Sequence, residues 1–265
     1  MDAITAYLAS QPVFSTAGLT CFVVAGLPVG WLEATTVDYL LAHDPRFALQ
    51  DQALHLAHEL AQHERSALLQ ATAEAMQLAG LIRGWRNERY TCYAADGAGG
   101  LDLQHPLFEL ERAAFRRFGL CSRAVHINGY TADGRLWLGR RAATKSIDPN
   151  KRDNLAAGGL PTGETVLGCV IRELWEEAGV PAELACQAVE IEALRTTRNE
   201  ADGTHDEIIY CFDLLLPDDF TPHNTDGEVA GFSALPASDA APLLPEFTWD
   251  AGLVTARFLL RQAGA

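Results

Sequence analysis

The sequence predicts an α+β fold, because segments with strand patterns and segments with helix patterns are mixed along the chain. Two hairpins are indicated by short apolar runs that flank tight turns at Asp133-Gly134 and Asp202-Gly203. An amphipathic helix is predicted over residues 249–261, where apolar side chains recur at helical spacing. Strands and helices combined in this way are typical of a layered α+β or αβα domain, here over about 120–265.

The first part of the chain predicts a smaller α+β unit. An apolar segment over 21–32 is interrupted by a turn containing glycine and proline, which predicts a hairpin. Apolar residues at helical spacing predict one long helix over about 51–82 and a short helix over about 107–118. We therefore expect an N-terminal extension over 1–118, with a role in substrate selection or dimerisation, followed by a second domain over 119–265.

Glycines mark the expected ends of two helices. Gly119 follows the short helix, and Gly179 follows a helix that is predicted to begin at Gly163-Glu164 and to run to Ala178. Glycine has no Cβ and takes the left-handed conformation readily, so it is the usual residue after a helix end.

Composition limits the class of protein. The chain has 265 residues and is 48% hydrophobic, which is enough for a core and excludes a disordered chain. Its 20 Lys and Arg against 35 Asp and Glu give a formal charge of −15, which disfavours a nucleic acid polymer or an anionic membrane as partner. No apolar run approaches the ~20 residues of a membrane span, and the N-terminus lacks the basic residues of a secretory signal. We expect a soluble, cytoplasmic protein whose six cysteines are reduced.

The helix that ends at Ala178 carries three carboxylates close together. Glu173, Glu176 and Glu177 are three and four residues apart, so their side chains meet on one side of the helix, where they repel one another. The C-terminal end of a helix also disfavours negative charge. A hard divalent cation, Mg²⁺ or Mn²⁺, explains the cluster because it binds oxygen ligands and substrate phosphates. The side chains predicted to face the core are Leu167, Val170, Ile171, Leu174 and Ala178.

The segment around this helix resembles the Nudix box, Gly-x5-Glu-x7-Arg-Glu-U-x-Glu-Glu-x-Gly-U, in which U is aliphatic. The resemblance implies a Nudix αβα sandwich, with a mixed sheet between helices, and a divalent-metal-dependent hydrolase of diphosphates linked to another moiety. The positions that match are Gly158, Glu164, Arg172, Glu173, Leu174, Glu176, Glu177, Gly179 and Val180.

The resemblance also implies roles for residues of the box. Glu173 and Glu177 match the direct metal ligands, and the carbonyl of Ala157 matches a backbone ligand. Glu176 matches a further ligand or a base. Arg172 is expected to pair with Glu164 and so to orient the carboxylates.

Acidic and basic residues outside the box complete the predicted site. Glu228, in a segment DGEVAGF that resembles a later Nudix loop, is expected to be a fourth ligand or the general base, with Glu207 as the alternative. The densest basic cluster precedes the box and is predicted to bind the distal phosphate, because Arg suits bidentate phosphate contacts. The residues of this predicted substrate-binding group are Arg140, Arg141, Lys145, Lys151 and Asn154.

The resemblance extends beyond the box to Nudix proteins related to the Nudix half of thiamine pyrophosphokinase. It is carried by FELERAAFRRFGLCSRAVHINGY, LWLGRR, KRDNLAAGGL and DGEVAGF. It implies hydrolysis of thiamine diphosphate, or of its oxo and oxy analogues, to the monophosphate. Relatives tend to carry an aromatic residue in the loop over 145–154, which is lost here. A Nudix hydrolase of (d)NTPs, ADP-ribose or other nucleoside diphosphate derivatives remains an alternative, as does a non-catalytic Nudix sensor. Many Nudix enzymes are dimers, which leaves a homodimer open.

Overall fold

The computed structural model describes residues 2–145 and 147–264. Its first part contains a four-stranded sheet, a separate two-stranded hairpin and four helices, of which the last follows a 3₁₀ turn at Arg112–Ala114. The elements are α1 (Asp2–Ala9), β1 (Leu19–Val24), β2 (Leu27–Glu33), α2 (Ala34–His43), β3 (Phe47–Gln50), β4 (Ala53–Leu56), α3 (Gln62–Leu78), β5 (Arg89–Ala95), β6 (Leu101–Glu111) and α4 (Phe115–Phe118).

The N-terminal elements share one hydrophobic core. The four-stranded sheet has the order β2-β1-β4-β3, in which only the β1–β4 pair is parallel. Phe22, Leu69 and Phe118 lie in the core without measurable exposure, and they come from the sheet, α3 and α4. Helix α1 is different, because it packs against the C-terminal helix of the chain instead.

Two sequence predictions for this part are wrong in extent. The helix predicted over 51–82 is limited to α3, because 51–61 holds a turn, β4 and a loop. Asp51 and Gln52 have φ of 49° and 63°, so they form a tight turn without glycine. The helix predicted over 107–118 is a strand as far as Glu111, because this segment pairs with β5. The hairpin predicted over 21–32 is confirmed.

The second part of the chain folds around a larger mixed sheet. The strands follow the order β11-β12-β7-β8-β13, with β10 added to β7 and β9 added to β8, and β7 pairs with β12 in parallel. The elements are β7 (Cys121–Thr131), β8 (Arg135–Arg141), β9 (Arg152–Asp153), β10 (Ala156–Gly159), α5 (Val166–Ala178), α6 (Ala182–Ala185), β11 (Val189–Glu200), β12 (Gly203–Leu216), β13 (Val229–Pro236), α7 (Ala237–Ala240) and α8 (Trp249–Gly264).

Helices cover both faces of this sheet. Side chains that alternate along a strand point to opposite faces, so β12 supplies Phe212 and Leu214 to a core with α5, and Ile209 and Cys211 to a core with α8. Near the other end of the sheet, β8 packs on Phe258 of α8. The α+β class and the αβα sandwich with a smaller N-terminal α+β unit are therefore confirmed.

Helix α5 differs from its prediction at its start and on its acidic side. It begins at Val166, because Thr165 caps it by accepting a hydrogen bond from the Gly168 amide at 3.1 Å. Leu167 was predicted to face the core, but it is 46% exposed. Glu173 and Glu177, in contrast, are only 8% and 6% exposed. The acidic side of α5 is thus covered at Glu173 and Glu177, while Leu167 and Trp175 remain exposed.

Two further features bear on the class of protein. Among the described residues, no helix is long and apolar enough to cross a membrane. The six cysteines are free, and four of them are buried.

Candidate active site

The site is built where α5 packs along the short strand β10. Gly158 of β10 faces the carboxylate of Glu173 so closely that a Cβ at this position would overlap it. Gly159, the next residue, faces the Tyr90 hydroxyl in the same way. Two residues without side chains therefore allow an acidic helix face and an aromatic ring to approach the same strand.

Glu177 is held against the same strand by the backbone. Its Oε2 accepts a hydrogen bond from the Ala157 amide at 2.9 Å. Burial, reinforced by the nearby carboxylates of Asp153 and Glu173, raises the pKa of Glu177 to about 8. Burial also raises the pKa of Glu173.

Arg172 connects the loop before α5 to the acidic face of the helix. Its Nε and Nη2 donate to the two carboxylate oxygens of Glu164 at 2.9 and 2.8 Å. Its Nη1 donates to Glu173 at 2.6 Å and to Glu176 at 3.1 Å. One guanidinium thus orients three carboxylates, and these contacts, with that of Glu164 foremost, raise the pKa of Arg172 further above its usual range.

These residues fit a divalent cation. Glu173 and Glu177 are buried side by side, with Arg172 as the direct cationic partner of Glu173, and Glu176, whose side chain is 41% exposed, adjoins them. Strand β10 presents the backbone of Ala157 beside them. The metal ligands that this set offers are carboxylate and carbonyl oxygens, which Mg²⁺ and Mn²⁺ prefer.

Lys145 and Glu228 lie on the other side of Glu177. The Lys145 ammonium forms an ion pair with Glu228 and lies 3.9 Å from Oε1 of Glu177. Burial lowers the pKa of Lys145. The loop after the box therefore brings the Glu228 carboxylate close to Glu177, and the Lys145 ammonium lies between the two.

A cleft of about 610 Å³ opens beside β10. The strand contributes Ala157, Gly158 and Gly159 to its lining, and Tyr90 and Phe115 form an aromatic part of the wall. The cleft is large enough for a small organic ligand.

Glu207, the alternative to Glu228, lies in this cleft. Its carboxylate accepts a hydrogen bond from the Ser122 hydroxyl at 2.8 Å and lies 4.0 Å from Nε2 of His205. Glu228 does not line the cleft, so the two candidate acids lie in different surroundings. His205, Glu207 and Asp250 are close enough together to hold a metal ion. However, Arg198 already donates two hydrogen bonds, of 2.7 and 2.9 Å, to the Asp250 carboxylate.

The predicted substrate-binding residues do not lie together. Arg141 lines the cleft and pairs with Asp153 at 2.8 Å, whereas Arg140 is exposed elsewhere. Lys151 pairs with Asp148 at 2.8 Å. Asn154 is 2% exposed, and its side chain hydrogen-bonds inside the protein, to His126, Asn128 and Thr255.

Sequence reasoning missed the other basic residues of the cleft. Six arginines line it, out of 20 basic residues in the chain. They come from separate segments, so no local sequence pattern reveals them. The five that were not predicted are Arg83, Arg86, Arg112, Arg116 and Arg198.

The extension is hydrogen-bonded to the loop of the site. The Arg89 carbonyl accepts from the Thr162 amide at 2.8 Å, and the hydroxyl groups of Thr91 and Thr162 lie 2.9 Å apart. Part of the N-terminal unit is therefore a wall of the cleft.

Comparison with known proteins identifies the family. A model described as "NUDIX domain" matches residues 122–258, and one described as "Domain of unknown function (DUF4743)" matches residues 5–122. Nudix hydrolase 24, chloroplastic, of Arabidopsis thaliana is 32% identical over 91% of this chain and 67% of its own length. Nudix hydrolase 20, chloroplastic, of the same plant is 37% identical over 69% of this chain and 49% of its own length.

The chain therefore spans two-thirds of the first relative and about half of the second. Among solved structures, DR0079 from Deinococcus radiodurans is 21% identical with a TM-score of 0.47, covering 66% of this chain and 98% of that one. With an intact box on α5 and a family model that matches half of its residues, the chain belongs to the Nudix hydrolases, which act on phosphoanhydride bonds.

Proposed function

We propose that the protein is a divalent-cation-dependent diphosphohydrolase that cleaves a small organic diphosphate to its monophosphate and inorganic phosphate. The observation that carries the proposal is the buried pair Glu173 and Glu177 of α5, which pack against strand β10 beside a cleft rich in arginine. Two buried carboxylates of this kind are costly in a protein unless a cation compensates them.

The residues divide the work of the reaction. Glu173, Glu176, Glu177 and the Ala157 carbonyl would hold Mg²⁺ or Mn²⁺, with Glu228 as a further ligand or as the base. The ion, when bound, supplies charge neutralisation at the diphosphate oxygens. Arg172 and Glu164 keep the carboxylates in position. One water is consumed, the bridging P–O bond breaks, and a carboxylate takes the proton of the water.

We propose thiamine diphosphate, or an oxidised analogue of it, as the substrate. The wider sequence resemblance supports this choice, and so does the presence of both arginines and carboxylates in the lining of the cleft. Arginines suit the diphosphate. Glu207 has no arginine or lysine partner among the described residues, and its carboxylate suits the cationic thiazolium ring of thiamine.

A panel of substrates tests the proposal. The protein is incubated with Mg²⁺ and with thiamine, oxothiamine and oxythiamine diphosphates, nucleoside di- and triphosphates, or ADP-ribose, and the products are identified. We expect the thiamine compounds to be turned over most efficiently. Equal or faster turnover of nucleotides would overturn the thiamine assignment and indicate a nucleoside diphosphate derivative as the substrate.

Variants of the metal site test whether the protein is an enzyme at all. We expect Glu177→Gln, or excess EDTA, to lower turnover by orders of magnitude. Glu183→Gln, at an exposed position of α6, is the matched control. If no substrate is hydrolysed and Glu177→Gln leaves ligand binding unchanged, the protein is a sensor instead.

A further inference from the structure

One wall of the cleft carries four arginines from the N-terminal extension. We call this group the arginine wall: Arg83, Arg86, Arg112 and Arg116. The chain as a whole has a formal charge of −15, so this concentration of positive charge departs from the average of the protein. A positive patch in a concave site attracts an anion.

The arginine wall retains unused hydrogen-bonding capacity. Among the residues that the structure describes, Arg83 and Arg86 have no carboxylate within ion-pairing distance. Arg112 uses only Nη1, for Glu88 at 2.6 Å, and Arg116 contacts Asp202 at the long distance of 3.4 Å. A guanidinium offers five donors, so most of the donors in the arginine wall remain free for a ligand.

Arg112 is separated from the metal-binding loop by a single aromatic ring. Its Cζ lies 5.9 Å from the centre of the Tyr90 ring, and the Tyr90 hydroxyl lies against Gly159. The hydrogen bond between the Arg89 carbonyl and the Thr162 amide fixes this segment to the loop. Residues 83–116 therefore hold the arginine wall beside the atoms where a diphosphate would bind.

We propose that the arginine wall is a binding site for a phosphate group, and that in the complex it holds the terminal phosphate of the substrate. Only the second part of this proposal rests on the proposed function. Arginines match phosphate oxygens with paired donors, and Ala157–Gly159, the strand against which the carboxylates of α5 pack, lines the same cleft as the arginine wall. The extension then supplies part of the substrate site of the Nudix domain.

Binding of inorganic phosphate tests the site without turnover. The protein is titrated with sodium phosphate in EDTA, against sodium chloride at matched ionic strength, and binding is followed by calorimetry and by the midpoint of thermal unfolding. We expect saturable binding by the wild type, and about tenfold weaker binding by Arg112→Gln because a charge-assisted contact is lost.

Two further variants separate binding from folding. Arg86→Gln has no ion pair to lose, so it should fold as the wild type and still bind phosphate more weakly. Arg46 lies in the same part of the chain but pairs with Asp44 outside the cleft, so Arg46→Gln should bind phosphate as the wild type does. The proposal is overturned if the wild type binds no phosphate, or if Arg86→Gln and Arg112→Gln bind it normally.

Kinetics then test the role of the arginine wall in the complex. With any diphosphate that is turned over, we expect Arg86→Gln to raise KM by about tenfold with a smaller change in kcat. An unchanged KM would overturn the assignment to the terminal phosphate. Failure of the whole substrate panel would overturn the proposed function, while the phosphate titration would still decide the anion site.

Discussion

Arg172 and Glu164 form a two-hydrogen-bond pair, at 2.9 and 2.8 Å, although eight residues separate them in the chain. The pair closes the loop before α5 onto the helix. The same guanidinium also donates to Glu173. Glu164, which lies outside the helix, therefore helps to position a predicted metal ligand through Arg172.

Replacing Arg172 by lysine should damage the site without changing its charge. A lysine ammonium is a single point and cannot donate to three carboxylates in fixed directions. We expect Arg172→Lys to lower kcat/KM and the affinity for Mn²⁺ by about 10- to 100-fold. Arg135→Lys, at an exposed pair with Asp133, is the control. Wild-type Mn²⁺ affinity in Arg172→Lys, measured by calorimetry, would contradict the role of Arg172.

A methyl group at Gly158 should disturb the proposed metal site directly. Its Cβ would overlap the Glu173 carboxylate, which would have to move away from β10. We expect Gly158→Ala to bind Mn²⁺ much more weakly than the wild type. Gly231→Ala is the matched control, because a Cβ there meets no atom within 4 Å. Equal Mn²⁺ affinity in the two variants would show that Glu173 does not bind the ion from its place against Gly158.

Substitution of Glu228 and substitution of Glu207 should affect different properties, Mn²⁺ binding for Glu228 and KM for Glu207. Glu228 is linked to Glu177 through Lys145, so we expect Glu228→Gln to weaken Mn²⁺ binding. Glu207 lies in the cleft beside Ser122, so Glu207→Gln should leave Mn²⁺ binding unchanged and raise KM for thiamine diphosphate more than for a nucleotide. The reverse pattern would exchange the two assignments.

The ion pair of Asp250 and Arg198 should contribute to stability above pH 4. Burial alone would raise the pKa of Asp250, but the charge of His205 and the hydrogen bonds and charge of Arg198 outweigh it and hold the pKa at about 2, below the usual 3.8. The contribution is therefore present above pH 3.8 and is lost as the pH falls through about 2.

Urea unfolding at several pH values measures this contribution. We expect Asp250→Asn to cost about 3 kcal/mol at pH 7, because Arg198 is only 6% exposed and loses its main partner. The difference from the wild type should shrink between pH 4 and 2. Asp133→Asn, at an exposed ion pair, should cost much less. A difference that does not change with pH would contradict the lowered pKa.

Local signals predicted most of the fold around the site. The turns at Asp133-Gly134 and Asp202-Gly203 and the left-handed ends at Gly119 and Gly179 depend on residues close in sequence, and the structure has all of them. The region 51–61 was misread because its turn contains Asp51 and Gln52 instead of glycine. The spacing of apolar residues there fits a helix as well as a strand.

The surroundings of the site could not be predicted in the same way. The sequence predicts that Glu173 and Glu177 lie on one side of α5, but not that they are buried, because their burial depends on Gly158, which lets strand β10 lie against Glu173. That contact joins segments whose pairing is set by the whole sheet. The arginine wall depends on the packing of the extension, and its members are spread over more than 30 residues, so no motif contains them.

The contact between Thr91 and Thr162 has a practical consequence for protein engineering. A chimera that joins residues 119–265 to a foreign partner would leave the loop at Thr162 without its hydrogen bond to the Arg89 carbonyl, and one side of the cleft open to water. On the proposal that the arginine wall binds the terminal phosphate, exchange of substrate preference between relatives would require residues 83–116 to be transferred together with the box.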